Sequence, residues 1–188
     1  MSSTSRGNLC LIEETGDIFS APPNSVLIHA CNCQGSWGAG IAEEFKKRYP
    51  GAYKEYAAHC KKNMAEDLIG TCFLIPPLEP EDEWRPKHYI GCLFTSRRYG
   101  RSKDNADAIL EATTAAMQAL LNHLKKWHAK PASTHGTGQP GAPAELFMCR
   151  INSGKFGVPW ARSKAVLENL EIDGTEDIVN QIKVILKG

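Results

Sequence analysis

The stretch Ile151-Asn152-Ser153-Gly154-Lys155-Phe156-Gly157-Val158-Pro159-Trp160 places two glycines around a lysine and follows them with a helix-compatible proline. Gly154 and Gly157 allow positive φ and leave no Cβ to block an approaching ligand. Pro159 suits the first position of a helix, and the pattern that follows through 161–170 places Trp160, Lys164, Leu167 and Leu170 near one side. A loop so placed lines up backbone N–H groups beside the positive end of a helix dipole, a common way of holding phosphate. The chemistry it offers is anion binding. The phosphate-loop lysine pattern and the dinucleotide glycine fingerprint are both absent, so spacing alone leaves open a plain turn joining strand to helix.

A second stretch of the same kind, Asn32-Cys33-Gln34-Gly35-Ser36-Trp37-Gly38-Ala39-Gly40-Ile41, follows the apolar run Val26-Leu27-Ile28-His29-Ala30-Cys31. It too runs into a helical pattern, with Ile41, Phe45 and Tyr49 recurring at intervals of four before Pro50. His29 at the end of that run is a candidate to position or activate water, since an imidazole near pH 7 can accept a proton. A lone histidine on an apolar strand reads equally well as a satisfied core residue. Cys31 and Cys33 form one close pair with no second pair at zinc spacing, so no metal is expected. Thiol nucleophile chemistry is only weakly signalled, because no local motif sets a histidine against either sulfur.

Other elements must position these loops. Asn8-Leu9-Cys10-Leu11-Ile12, the run from Val26 to Cys31, Thr71-Cys72-Phe73-Leu74-Ile75, Tyr89-Ile90-Gly91-Cys92-Leu93-Phe94-Thr95, Glu145-Leu146-Phe147-Met148-Cys149 and Ile182-Lys183-Val184-Ile185-Leu186 read as strands. Tyr53, Tyr56, Ala57 and Cys60 mark an amphipathic helix. A longer helix, capped by Asp104, carries the stripe Ile109, Ala116, Leu120, Leu124 and Trp127, widened by Met117 and Leu121. Each large side chain buried there is worth roughly 1.5–3 kcal/mol. Segment 76–87 reads as a surface loop and 129–143 as a mobile insertion with little that could enter a core. Strands interleaved with helices indicate an α/β sandwich, whose ligands bind beyond the carboxyl ends of the strands. Both loops follow strands and precede helices, so they share that edge.

At 188 residues and 42% hydrophobic content, the chain suits one domain over 1–188. A net charge of +1 with 8% aromatics excludes a broad nucleic-acid surface, so phosphate recognition should be local. No apolar stretch is long enough to span a membrane, and the first residues lack the apolar segment of a signal peptide. Seven scattered cysteines indicate reduced thiols and an intracellular protein.

Taken together with Gly16-Asp17-Ile18, the two loops resemble the macrodomain superfamily over nearly the whole chain. Within it, His29-Ala30-Cys31-Asn32-Cys33-Gln34-Gly35-Ser36-Trp37-Gly38-Ala39-Gly40-Ile41-Ala42 and 151–160 are most similar to the fungal ADP-ribose 1″-phosphate phosphatases. The resemblance implies a three-layer α/β/α fold with a mixed, mainly parallel central sheet. It also implies binding of ADP-ribose and ADP-ribose 1″-phosphate across the strand ends, and hydrolysis of the terminal phosphate of a tRNA-splicing by-product. Asp17, flanked by Gly16 and Ile18, matches the adenine-recognising aspartate, although it also reads as a turn residue. Asn152, Ser153, Gly154, Lys155, Phe156, Gly157 and Val158 match the diphosphate loop. Ala30, Cys31, Trp37, Gly38, Ala39, Gly40, Ile41 and Ala42 match the loop at the distal ribose, and Asn32 matches an asparagine near the reacting carbon, with His29 beside it as a second catalytic candidate. Trp37 stands where many viral and bacterial relatives carry histidine. Ser96 and Phe156 stand where a lysine and an aspartate serve a related class that removes ADP-ribose from carboxylates, so that covalent route is not expected. The rivals to the phosphatase are an ADP-ribosyl hydrolase acting on modified macromolecules and a non-catalytic ADP-ribose-binding module. No cofactor is expected, and the protein is expected to be a soluble monomer of the cytoplasm or nucleus.

Overall fold

The computed structural model describes residues 6–80, 87–129, 141–173 and 180–188. In chain order its elements are β1 (Arg6–Asn8), β2 (Cys10–Gly16), β3 (Val26–Asn32), α1 (Ile41–Arg48), α2 (Pro50–Lys62), α3 (Ala65–Leu68), β4 (Cys72–Ile75), β5 (Tyr89–Ser96), α4 (Ala106–His128), β6 (Leu146–Cys149), α5 (Trp160–Glu168), β7 (Glu171–Asp173) and β8 (Gln181–Lys187). Single 3-10 turns at Ile18–Ser20 and Gly100–Ser102 follow β2 and β5.

Six strands form the main sheet in the order β2-β8-β6-β3-β5-β4. All neighbouring pairs are parallel except β4 with β5, which is antiparallel. The mixed, mainly parallel sheet flanked by helices is therefore as the sequence leads one to expect. A parallel sheet covered on both faces needs strands that are apolar throughout. β5 is buried from Tyr89 to Ser96 and apolar as far as Phe94, its last two residues being buried Thr95 and Ser96 with hydrogen-bonded hydroxyls. One face of β3 presents His29 and Cys31 to Phe45 and Trp37 beneath α1 and α2. The other face carries Val26 and Ile28, which with Leu120 of α4 crowd against Gly91 of β5; a Cβ at Gly91 would come within 3.2 Å of both strand side chains.

Three details differ from the sequence expectation. The long helix is capped by Asn105, whose Oδ1 accepts from Ala108 N at 2.9 Å. Asp104 is instead drawn to Arg97, 2.9 Å from its Nη1. Pro159 sits one residue earlier than expected, at the cap of α5. The segment 129–143 is only partly described: 130–140 lie outside the described residues, while Pro143 is buried and Gly141 O accepts from the Tyr89 hydroxyl at 2.8 Å, so the end of that segment packs against the body. The antiparallel ribbon β1–β7 also had no counterpart in the sequence reading. No helix among the described residues is long and apolar enough to cross a membrane.

Candidate functional site

Because β2, β8, β6, β3 and β5 run parallel, their carboxyl ends share one edge of the sheet. Four segments emerge there: Asp17 after β2, the 150–159 loop after β6, the 32–41 loop after β3, and a strap over 97–104 after β5. Adjacent strands lie about 4.8 Å apart, so the three intervals from β2 to β3 set Asp17 roughly 14 Å from the 32–41 loop.

The 32–41 loop is built around Asn32. The register shifts between Cys31 and Asn32, and the chain leaves the ladder with Cys33 N donating to Ser96 O at 3.1 Å. Asn32 Oδ1 accepts from Gln34 N (2.9 Å), Ser36 N (3.3 Å) and the Tyr56 hydroxyl (3.1 Å), and its Nδ2 donates to Ser36 O at 2.7 Å. The Tyr56 hydroxyl also donates to Asn32 O at 2.6 Å, and the Tyr53 hydroxyl to Gly35 O at 3.2 Å. Trp37 is buried beneath the loop, stacked on Tyr56 with ring centroids 4.9 Å apart. Exposed in this loop are Gln34 and the run Gly38, Ala39, Gly40 and Ile41. Gly40 adopts φ 61° at the N-cap of α1, where no side chain caps the helix. Its first-turn acids are engaged by Lys47, 3.1 Å from Glu43 and 3.2 Å from Glu44.

The 150–159 loop is anchored from below in a different way. Asn152 is buried at φ 63°, a conformation asparagine tolerates better than most residues. Its Oδ1 accepts from Thr95 Oγ1 at 2.9 Å, while Nδ2 donates to Thr113 Oγ1 at 2.9 Å and Ser163 Oγ at 3.2 Å. Three elements, β5, α4 and α5, thus hold one side chain. Asn152 O accepts from Val158 N at 2.9 Å and Gly157 N donates to Gly154 O at 3.0 Å, which closes the crown. Val158 turns inward against Ile109 and Leu110. Ser153, Gly154 and Lys155 are exposed and Phe156 half-buried, and the amides of Gly154, Lys155 and Phe156 have no acceptor among the described residues. These are donors without partners among the described residues, carried on exposed or half-buried positions.

Asp17 is exposed at the N-cap of its 3-10 turn, with Oδ1 accepting from Phe19 N at 3.0 Å. Its other carboxylate oxygen makes no hydrogen bond among the described residues. Nearby on β2, Glu13 accepts from Trp160 Nε1 at the start of α5. That bond, aided by Lys164 and Arg150, holds the Glu13 carboxyl below its usual range.

The sequence-predicted residues therefore divide. Gly16, Asp17, Gly38, Ala39, Gly40, Ile41, Ser153, Gly154, Lys155 and Gly157 lie exposed along one edge, with Ala30, Ala42 and Phe156 half-buried. Ile18, Cys31, Trp37, Asn152 and Val158 point their side chains into the core. Asn32 spends its amide inside its own loop. His29 has 0% exposure and stacks on Phe45 at 4.2 Å, with Trp37 edge-on at 4.8 Å. It has no surface to offer a water, so the core reading of this histidine is the one that fits.

His29, Cys31 and Cys92 bring their donor atoms within 4.8 Å of one another. Cys31 Sγ lies 3.7 Å from Nδ1 and 3.6 Å from Nε2. Near-equal distances set the sulfur over the ring, off the axis of either nitrogen lone pair, so the trio reads as packing. Burial pushes the Cys31 thiol well above its usual range and Cys33 up to about 12, which removes thiolate nucleophiles from the loop base. Ser96 is buried and structural, accepting from Asp104 N at 3.0 Å and donating to Arg98 O at 2.7 Å.

Sequence reasoning missed the strap. Tyr99 N donates to Gln34 Oε1 at 3.2 Å, tying it to the 32–41 loop, and Lys103 reaches the 150–159 loop at Gly157. The basic run Arg97-Arg98-Tyr99-Gly100-Arg101-Ser102-Lys103, directly after a buried strand, was the available signal.

An exposed carboxylate and two amide-lined loops thus lie along one edge of a mainly parallel sheet. The chain belongs to the Macro domain family, which matches residues 28–167. Among its relatives, the ADP-ribose 1″-phosphate phosphatase of Chaetomium globosum is 42% identical, over 92% of this chain and 90% of that protein. The protein of the same name from Meyerozyma guilliermondii is 40% identical, over 84% of this chain and 91% of that protein. The macrodomain of Mycobacterium tuberculosis DarG shares the fold, with a TM-score of 0.64 at 20% identity over 94% of this chain and 97% of that one.

Proposed function

We propose that this protein hydrolyses the terminal phosphate of ADP-ribose 1″-phosphate, a by-product of tRNA splicing, to give ADP-ribose and inorganic phosphate. The observation that carries the reading is the row of unpartnered donors on two loops of one sheet edge, with a half-free carboxylate at its far end. Relatives bearing the phosphatase name cover nearly the whole chain, which favours this substrate.

In this reading, Asp17 accepts from the exocyclic amine of adenine, beside Gly16 and Ile18. The amides of Gly154, Lys155 and Phe156 hold the diphosphate, and the Phe156 ring walls a ribose. The segment Gly38-Ala39-Gly40-Ile41-Ala42 meets the distal ribose and its phosphate at the start of α1, where uncapped N–H groups favour an anion. Asn32 acts as a positioning residue: its four hydrogen bonds fix the turn that aims those amides. Catalysis is mainly geometric, with fixed donors stabilising charge as water cleaves the phosphate ester, its oxygen and protons divided between the freed ribose hydroxyl and inorganic phosphate.

The test pairs phosphate release from ADP-ribose 1″-phosphate with calorimetry of ADP-ribose. Turnover together with binding supports the phosphatase. Binding without phosphate release moves the assignment to an ADP-ribose reader or an ADP-ribosyl hydrolase, and absence of both overturns the reading of the cleft.

A further inference from the structure

ADP-ribose 1″-phosphate differs from ADP-ribose by a terminal phosphate that adds about −1.5 to −2 charge near pH 7. Backbone amides carry only partial charges, so preference for the phosphorylated ligand calls for full cations near the distal loops. Two lysines are placed for this. Lys155, on the crown of the 150–159 loop, sends its stem across to the 32–41 loop: Cγ lies 3.8 Å from where a Cβ on Gly40 would sit. Lys103, on the strap, leans the opposite way: Cε lies 3.9 Å from the equivalent point on Gly157. Each lysine leaves its own segment and packs against a glycine of the facing one. Gly40 at φ 61° and Gly157 at φ 69° leave room for the stems as well as for the turns.

Neither ammonium has a hydrogen bond or ion pair among the described residues. The carboxylates of the neighbourhood are already committed, since Arg97 takes Asp104 at 2.9 Å and Glu66 at 2.8 Å. That cross-link keeps Asp104, one residue from Lys103, from neutralising it. The folded chain therefore holds two positive charges with no ion pair among the described residues, one on a stem packed beside the 32–41 loop and one on a stem packed beside the 150–159 loop.

We propose that Lys103 and Lys155 form a clamp that selects the terminal phosphate, making them specificity-determining residues. The proposal rests on the phosphatase reading for its substrate. A flexible point charge on a four-carbon stem suits a phosphate that is released after each turnover.

The experiment compares wild type with Lys103→Met, Lys155→Met, the double variant and both Lys→Arg variants. Methionine keeps the stem packing and removes the charge. Lys126→Met, near the far end of α4, serves as the control. Each methionine variant is expected to raise the KM for ADP-ribose 1″-phosphate about tenfold, the loss of one charge-assisted contact. Its Kd for ADP-ribose should stay within about twofold of wild type, because the diphosphate is held by amides. The double variant should lose about a hundredfold if the two act independently, with arginine restoring most of either loss. Parallel rises in KM and in the ADP-ribose Kd, or no change in either, would overturn the clamp. If wild type releases no phosphate, the phosphatase reading fails, and the clamp is then judged by calorimetry alone. A wild-type preference for ADP-ribose 1″-phosphate over ADP-ribose that disappears in the double variant still supports it, and no such preference sinks it as well.

Discussion

Replacing Asn152 by alanine should cost more than any other single change at the cleft. The side chain is 4% exposed and makes three hydrogen bonds, of 2.9, 2.9 and 3.2 Å, to hydroxyls on three different elements. At about 1 kcal/mol net for each buried bond, their loss amounts to roughly 3 kcal/mol. Alanine at φ 63° adds steric strain, of about 1 kcal/mol for a side chain in the left-handed region. The sum, about 4 kcal/mol, is a large part of the roughly 5–15 kcal/mol that holds a typical domain together. For a chain of this size it should lower Tm by about 8–16 °C. Urea denaturation of wild type, Asn152→Ala and Asn152→Gly separates the parts. Glycine relieves the strain but not the lost bonds, so it should track alanine within about 1 kcal/mol. Both variants should also bind ADP-ribose more weakly, since the crown of the loop loses its anchor. A loss below about 1 kcal/mol in both would refute the view that this one amide holds the loop to β5, α4 and α5.

Three further outcomes follow from named contacts. Asp17→Ala should weaken ADP-ribose binding about tenfold to a hundredfold, while Tm falls only by the loss of one exposed turn cap, about 1 kcal/mol; calorimetry beside a thermal melt checks both halves. His88 is buried, its Nε2–H donating to Ala21 O at 2.8 Å while Nδ1 accepts from the Tyr49 hydroxyl at 2.6 Å, and burial holds its pKa below the usual value. The unfolded chain therefore protonates first: this part of the stability is whole above about pH 6.5 and shrinks as the pH falls toward the lower folded value, so His88→Gln should flatten the wild-type decline measured by denaturation at successive pH values. Burial pushes Cys60 and Cys72 up to about 11 and Cys33 and Cys149 up to about 12, whereas Cys10 is exposed. Iodoacetamide at pH 8 should thus label Cys10 first and leave ADP-ribose binding intact, and rapid labelling of Cys31 or Cys33 in the folded protein would contradict the burial of the loop base.

Much of the sheet was legible because parallel strands buried on both faces must be largely apolar, as Val26 to Cys31 are but for His29 and Tyr89 to Thr95 are but for Thr95. The loops were legible because glycine is the residue that turns backbone amides toward a ligand. What was hidden depends on partners distant in sequence. Nothing local says whether His29 meets water or Phe45, since the answer lies in how α1 packs over β3. Asp104 and Asn105 are equally good helix caps until Arg97 claims the first. Asn152 reads as part of a binding loop, yet Thr95, Thr113 and Ser163 turn its side chain inward. Lys103 lies 54 positions before Gly157, and only the fold makes them neighbours. The β1–β7 ribbon escaped notice because its strands are three residues long, too short for alternation to register.

The two binding loops are anchored in opposite layers of the sandwich. Tyr53 and Tyr56 of α2 hold the 32–41 loop from one side of the sheet, whereas Thr113 of α4 and Ser163 of α5 hold the 150–159 loop through Asn152 from the other. A nucleotide lying across both would act as a removable rivet through the sandwich, fastening the two helical layers to each other. Its arrival should slow hydrogen exchange in α2 and α4 together, and each product release should loosen both at once.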